Sequence, residues 1–148
     1  MVSVKCLASG SAGNSYAVDD GKSVLLLEAG IRKRTILAGY MDLLMRVQGC
    51  LITHEHQDHA KAALGLPMAG IDVYASGGTF SALNAEKDRR NYRLHSIKAG
   101  EQFTLGTWTV LPWEAQHDAA EPLGFLLHSK ETRDKLIFAT DTYFIPNT

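Results

Sequence analysis

Apolar and polar residues alternate at the start of the chain, where Val2, Val4 and Cys6 are separated by Ser3 and Lys5. This period of two marks a strand buried on one face. Two more strands are predicted over residues 15–19 and 23–27, joined by Asp19-Asp20-Gly21-Lys22, in which Asp-Gly suits a tight hairpin. The period then changes: Leu37, Tyr40, Met41, Leu44 and Val47 recur at helical spacing within 31–47, and Gly49 ends that helix. A continuous apolar strand follows over 50–53. Asp58 opens a short helix through Leu66 that Pro67 stops, 71–75 reads as a buried strand, and Gly77-Gly78 leads into a helix around 79–88. The second half shifts to short strands over 93–97, 102–105, 108–111, 123–128 and 136–140, separated by Gly, Pro and charged turns.

A β-rich start, a βαβα middle and a β-rich end predict an α/β (α+β) domain over 1–148, with a mixed sheet and helices on its outer face. Such a layer leaves the other sheet face apolar. The expectation is a homodimer, or a partner chain, covering it.

Composition narrows the setting. With 148 residues and 45% hydrophobic content, the chain is long enough for one packed core. The formal net charge of −1 excludes a global positive field for gathering nucleic acid. The short basic clusters at Arg32-Lys33-Arg34 and at Lys87, Arg89, Arg90 and Arg93 read as solvated helix faces. Cys6 and Cys50 are the only cysteines and both sit in apolar, strand-like runs, which points to a reducing compartment and no disulfide framework. The first residues lack a signal-peptide pattern, and no run is long enough to span a bilayer. A soluble, cytoplasmic protein that does not engage membranes is expected.

The chemistry concentrates in Thr53-His-Glu-His-Gln-Asp-His-Ala60, which holds three of the six histidines. On an extended segment residues i and i+2 point the same way, so His54 and His56 can converge on one ion. Asp58 and His59, at the turn into a helix, can hold a second ion about 3.5–4 Å away. Clustering these groups without a cation would bring polar side chains together for no gain. Imidazole nitrogen with carboxylate oxygen suits Zn²⁺, with Mn²⁺ or Fe as alternatives. His117, in a loop before the strand at Leu123, offers a third imidazole, and Asp141, just past an apolar strand, offers a carboxylate that can bridge two ions. His95 and His128 lack such neighbours and read as hydrogen-bonded or exposed histidines. Strand periodicity turns Glu55 away from the ligands, so it is not assigned as a base.

His-x-His-x-Asp-His at 54–59, a later His117 and Asp141 after a strand resemble the metallo-β-lactamase fold superfamily of metallohydrolases. The loop Ser-Gly-Ser-Ala-Gly-Asn-Ser at 9–15, His-Asp-Ala at 117–119 and Ala-Thr-Asp-Thr at 139–142 look most like its YycJ-like (WalJ-like) branch of phosphodiesterases and nucleases. The resemblance runs from Cys6 to Thr142. It implies an αββα sandwich, here mainly its N-terminal half. It also implies His54, His56 and His117 on a first metal, Asp58 and His59 on a second, and Asp141 bridging them. Two departures stand out: Glu28 occupies the strand end where the family usually carries aspartate, which bears on its support of the histidine loop, and no histidine follows His128 to supply the family's final ligand.

The function expected is a metal-dependent hydrolase acting on phosphodiesters, with nucleic acid as a candidate substrate, or on another small-molecule substrate. A metal-bound hydroxide would attack and Asp58 would orient it. Two ions are implied, or one where the second site is incomplete, and the missing final histidine predicts a lowered rate. The alternative is a metal-binding but catalytically weak regulatory or interaction module. A further reading is that the sequence is a piece of a longer protein.

Overall fold

The computed structural model describes residues 1–85 and 91–139. Among the described residues, ten strands form two sheets. The first has six strands in sequence order: β1 (Ser3–Ala8), β2 (Ser15–Asp19), β3 (Val24–Leu27), β4 (Val47–Leu51), β5 (Val73–Ser76) and β6 (Leu94–Ile97). β1, β2 and β3 pair antiparallel, whereas β3 to β6 run parallel. The parallel strands need crossovers, and these carry α1 (Lys33–Gly39), α2 (Gln57–Ala60) and α3 (Gly77–Ala82). The second sheet is antiparallel, in the order β10 (Lys135–Phe138), β9 (Leu123–Ser129), β8 (Trp108–Glu114), β7 (Phe103–Leu105).

β3 and β4 are apolar on both faces because each face meets a different layer. Val24, Leu26, Cys50 and Ile52 pack with Ile36, Tyr40, Leu66 and Phe80 from the helical side. Leu25, Leu27 and Leu51 pack instead with Trp108, Val110, Leu123, Phe125 and Leu127 of the second sheet. Unbroken apolar runs are what parallel strands covered on both sides require. The sheet face that the sequence reading leaves open is therefore covered by the chain's own second sheet, and a dimer is not needed to bury it.

A polar clasp joins the layers beside this core. The Asp19–Lys22 hairpin forms as expected, with Gly21 at φ 95 and its amide donating to Asp19 Oδ1 at 2.7 Å. Asp20, only 3% exposed, accepts the Ser23 amide at 2.8 Å, the Ser129 hydroxyl at 2.7 Å and a short bond from the Thr107 hydroxyl. Trp108 Nε1 donates to Ser23 O at 2.9 Å.

The helices are shorter than their apolar spacing predicts. Over 31–47 only Lys33–Gly39 is α-helical; Leu44–Arg46 is a single 3₁₀ turn and Val47 already begins β4. Leu37, Tyr40, Leu44 and Val47 still pack on the helical side of the sheet, so helical spacing matches core contact at these four positions although the backbone is not one helix, whereas Met41 is exposed. α2 ends at Ala60, and Pro67 lies near the start of a separate 3₁₀ turn, Leu66–Ala69, where its missing N–H is tolerated. α3 begins two residues before the predicted helix and ends at Ala82; residues 83–85 leave the α-helix, and 86–88 lie outside the described residues.

Candidate metal centre

The parallel strands deliver the chemistry to one end. β3 ends at Leu27 and presents Glu28; β4 ends at Leu51 and runs into Thr53 and His54. His117 arrives from the second sheet, on the loop between β8 and β9. That loop is tied to the first sheet where Leu123 N donates to Thr53 O at 2.9 Å. Two sheets thus meet at the histidines.

One ligand nitrogen from each of His54, His56 and His117 lies within 4.8 Å of the other two. Ring centroids are 4.6 Å apart for His54 and His56, 4.5 Å for His54 and His117, and 4.9 Å for His56 and His117. His117 Nε2 and His56 Nδ1 face each other at 3.3 Å. Asp58 and His59 sit beside this group: His59 Nε2 is 3.3 Å from Asp58 Oδ2, and the His59 ring is 4.3 Å from that of His54. The residues expected at both half-sites therefore come together, with the exception that Asp141 lies outside the described residues.

Hydrogen counting fixes which nitrogens point inward. The Thr53 hydroxyl donates to Glu28 Oε2 at 2.7 Å, so it has no second hydrogen for His54 Nδ1 at 2.8 Å and must accept from it. His54 Nδ1 then carries the proton and Nε2 is the acceptor nitrogen. His59 Nδ1 makes a short hydrogen bond to Glu28 Oε2, which turns His59 Nε2 toward Asp58 Oδ2. Asn14 Nδ2 approaches that nitrogen only at 3.5 Å, and its two hydrogens already serve Gly10 O and Asp58 O, each at 3.0 Å.

Acceptor nitrogens and a carboxylate turned toward one another repel unless a proton or cation lies among them. A set of three convergent imidazoles with an adjacent His–Asp pair fits a divalent ion such as Zn²⁺, which favours nitrogen and oxygen donors.

Glu28 links the two groups of candidate ligands. It is 1% exposed, and its two oxygens take the Thr53 amide at 2.8 Å, the Thr53 hydroxyl and His59 Nδ1. Burial pushes its carboxyl above the usual range, against the lowering effect of His59 and Thr53. Its φ of 70° is unusual for a residue with a side chain, and such strain gathers at functional sites. Glutamate in place of aspartate thus does support the histidine loop. Such partners orient ligands and raise their basicity.

Three contributors carried little signal in the sequence. Thr53 and Asn14 act through partners far along the chain, and Glu55 accepts the Ala120 amide at 3.0 Å. Asn14 lay in the glycine-serine loop already singled out, so its position was visible but its contact was not. His95 is a satisfied histidine as expected, held by Asp72 Oδ2 at 2.9 Å and stacked on Tyr74.

Residues 26–148 match the Beta-lactamase superfamily domain. The chain belongs to the beta-lactamase superfamily. Over 94% of its length it is 33% identical to exodeoxyribonuclease YycJ of Bacillus anthracis and 30% identical to exodeoxyribonuclease WalJ of Streptococcus pneumoniae, covering 54% of each. It spans about half the length of these curated relatives. In fold it is similar to a metallo-beta-lactamase from Cronobacter sakazakii, with a TM-score of 0.74 at 16% identity, covering 92% of this chain and 60% of that one. The two-sheet layering of this superfamily member agrees with the sandwich expected from its motifs.

Proposed function

We propose that this superfamily member is a metal-dependent phosphodiesterase with nucleic acid as its substrate class, in which His54, His56 and His117 hold a first Zn²⁺ and Asp58 and His59 a second, with Asp141 between them. The observation that carries this reading is the convergence of the three imidazoles within 4.8 Å. The nuclease names of the YycJ and WalJ relatives favour phosphodiesters over other substrates. Bound divalent ions would supply an acidified water, with its pKa brought down to about 7, and charge stabilisation at the phosphoryl oxygens.

The chain's own residues divide the remaining work. Asp58, with 32% of its side chain exposed and its Oδ2 facing the site, is placed to orient a water and take its proton. Glu28 and Thr53 keep the His54 and His59 donor nitrogens turned inward. A cleft of about 530 Å³ opens beside His117 and is lined by Lys98, Glu114, Gln116 and Glu121. Among the described residues of that lining Lys98 is a cation, suited to a substrate phosphate. Because the net charge is −1, phosphate affinity would come from the metal centre rather than from a basic groove.

The test combines elemental analysis of the purified chain with hydrolysis of bis-p-nitrophenyl phosphate and a single-stranded oligonucleotide in Zn²⁺ or Mn²⁺. Expected are one to two bound ions and activity that a His54→Ala/His56→Ala double variant abolishes. Bound metal with equal background in both proteins would leave a binding module instead. No bound metal would end the proposal.

A further inference from the structure

Glu55 stands between His54 and His56, yet its carboxylate reaches the other histidine-bearing loop. Glu55 Oε2 accepts the Ala120 amide at 3.0 Å, a contact between residues 65 apart in sequence. The loop 115–122 leaves β8 and re-enters β9, and its ends are closed by Ala115 N donating to Pro122 O at 3.1 Å. Within it, Ala119 N donates to His117 O at 3.0 Å, a tight turn that ends one residue before Ala120. The far side of the loop is anchored separately: Ser76 Oγ donates to Glu121 O at 2.7 Å and Gly78 N to Glu121 Oε1 at 2.8 Å. Those bonds fix the loop to α3. The Glu55 bond ties it to the segment carrying His54 and His56.

We propose that Glu55 is a positioning residue: a strap that holds the His117 loop in register with His54 and His56. The inference rests on the metal-site reading only for its consequence, metal affinity. The strap itself is a property of the metal-free chain. Glu55 Oε1 is buried and makes no hydrogen bond among the described residues, so Oε2 is the oxygen through which the side chain acts. A glutamine here retains a carbonyl oxygen for the Ala120 amide and loses the charge. An alanine loses both. The pair therefore separates strapping from electrostatics.

The test uses the full chain as wild type, Glu55→Ala and Glu55→Gln. In the metal-free proteins, amide hydrogen exchange at Ala120 is expected to quicken on the order of tenfold or more in Glu55→Ala and to stay near wild type in Glu55→Gln. The Leu123 amide, bonded to Thr53 O, serves as the control for folding and keeps its protection in both. Zn²⁺ affinity, read by competition with a chromophoric chelator, is expected to fall about 10- to 100-fold in Glu55→Ala and to be restored by glutamine. Unchanged Ala120 exchange in Glu55→Ala overturns the strap, as does a Glu55→Gln protein that behaves like Glu55→Ala. Unchanged zinc affinity in Glu55→Ala, with a wild type that binds zinc, overturns the positioning role. A wild type that binds no zinc defeats the functional reading, and the exchange result alone then decides the strap.

Discussion

Thr53 and Glu28 are joined twice: the Thr53 amide donates to Glu28 Oε1 at 2.8 Å and its hydroxyl to Oε2 at 2.7 Å. The same hydroxyl accepts from His54 Nδ1, so one side-chain oxygen passes the orientation of a buried carboxylate on to a proposed ligand. Thr53→Val preserves shape and the amide bond while removing the hydroxyl. Stability is expected to fall by about 1–3 kcal/mol, because a carboxylate oxygen and an imidazole nitrogen lose a buried partner. Zn²⁺ affinity is expected to fall about tenfold or more. Urea denaturation of the metal-free protein and chelator competition measure the two effects separately, and a wild-type zinc affinity in Thr53→Val would refute the relay.

Asn14 supports the turn that carries Asp58 and His59, the proposed second half-site. Its amide spans Gly10 O and Asp58 O, each at 3.0 Å, and its Oδ1 accepts the Gly10 amide at 3.2 Å and the Tyr16 hydroxyl at 3.2 Å. Asn14→Ala leaves the imidazole trio untouched but frees the turn that carries Asp58. The expected outcome is selective: the weaker of two zinc affinities drops about 10- to 100-fold while the tighter one holds. Isothermal titration with elemental analysis distinguishes this from a loss spread evenly over both.

These two residues also mark where reading the sequence stopped. The cluster at 54–59 was legible because ligand chemistry was packed into one short stretch, and its union with His117 followed from strand-end placement. The two-sheet sandwich came only from the motif resemblance; which layer each strand face meets was not legible in the apolar pattern, since Leu25 and Leu26 look alike in sequence and differ only in the layer each faces. The long helix predicted over 31–47 failed for a related reason: helical spacing reported a shared core contact by residues in a helix, a 3₁₀ turn and a strand. Asn14, Thr53 and Glu55 are common polar residues whose roles depend on partners brought close only by the fold. Glu28 was noticed as a change of residue type, but its length suits the geometry, reaching Thr53 and His59 together.

The inter-sheet clasp predicts an acid sensitivity. Burial alone would raise the Asp20 carboxyl, but the Ser23 amide, the Thr107 and Ser129 hydroxyls and the Lys22 amide outweigh it and hold it below the usual range. A depressed folded-state value means stabilisation that is present above the unfolded carboxylate range, about 3.9, and is lost as pH falls through the folded value. Asp19 is depressed in the same direction, chiefly by hydrogen bonds from Arg46 at 2.6 and 2.8 Å, and shares this window. Asp20→Asn removes one of these titrations. At pH 7 it is expected to lose about 1–3 kcal/mol, and below pH of about 5 its stability should decline less steeply than that of wild type. Urea midpoints across pH 3 to 7 test this, and parallel declines in the two proteins would show that Asp20 does not carry the effect.

Gly30 is the point at which backbone packing, rather than side-chain chemistry, constrains the site. A Cβ placed there would lie 1.8 Å from Asp58 O, 2.2 Å from Asp58 C and 2.8 Å from His59 N, all backbone atoms that cannot rotate away. The crowding is built in by hydrogen bonds on both sides: Gly30 N donates to Asn14 O at 2.9 Å, Ala29 N to His59 O at 2.8 Å, and Ala62 N to Ala29 O at 2.8 Å. Gly30→Ala must therefore displace the turn bearing Asp58 and His59 from the loop after β3. Overpacking of this kind costs about 1–3 kcal/mol in a side-chain core, and the upper end or beyond is expected where the clash is with backbone. Gly77→Ala is the matched control, because a Cβ there meets nothing within 4 Å. If the proposed assignment of Asp58 and His59 is correct, Gly30→Ala loses binding of one zinc equivalent even under conditions where it remains folded, while Gly77→Ala keeps wild-type stoichiometry. Circular dichroism establishes folding in each, and zinc titration gives the count. Wild-type stoichiometry in a folded Gly30→Ala would show that the position of this turn does not govern the second half-site.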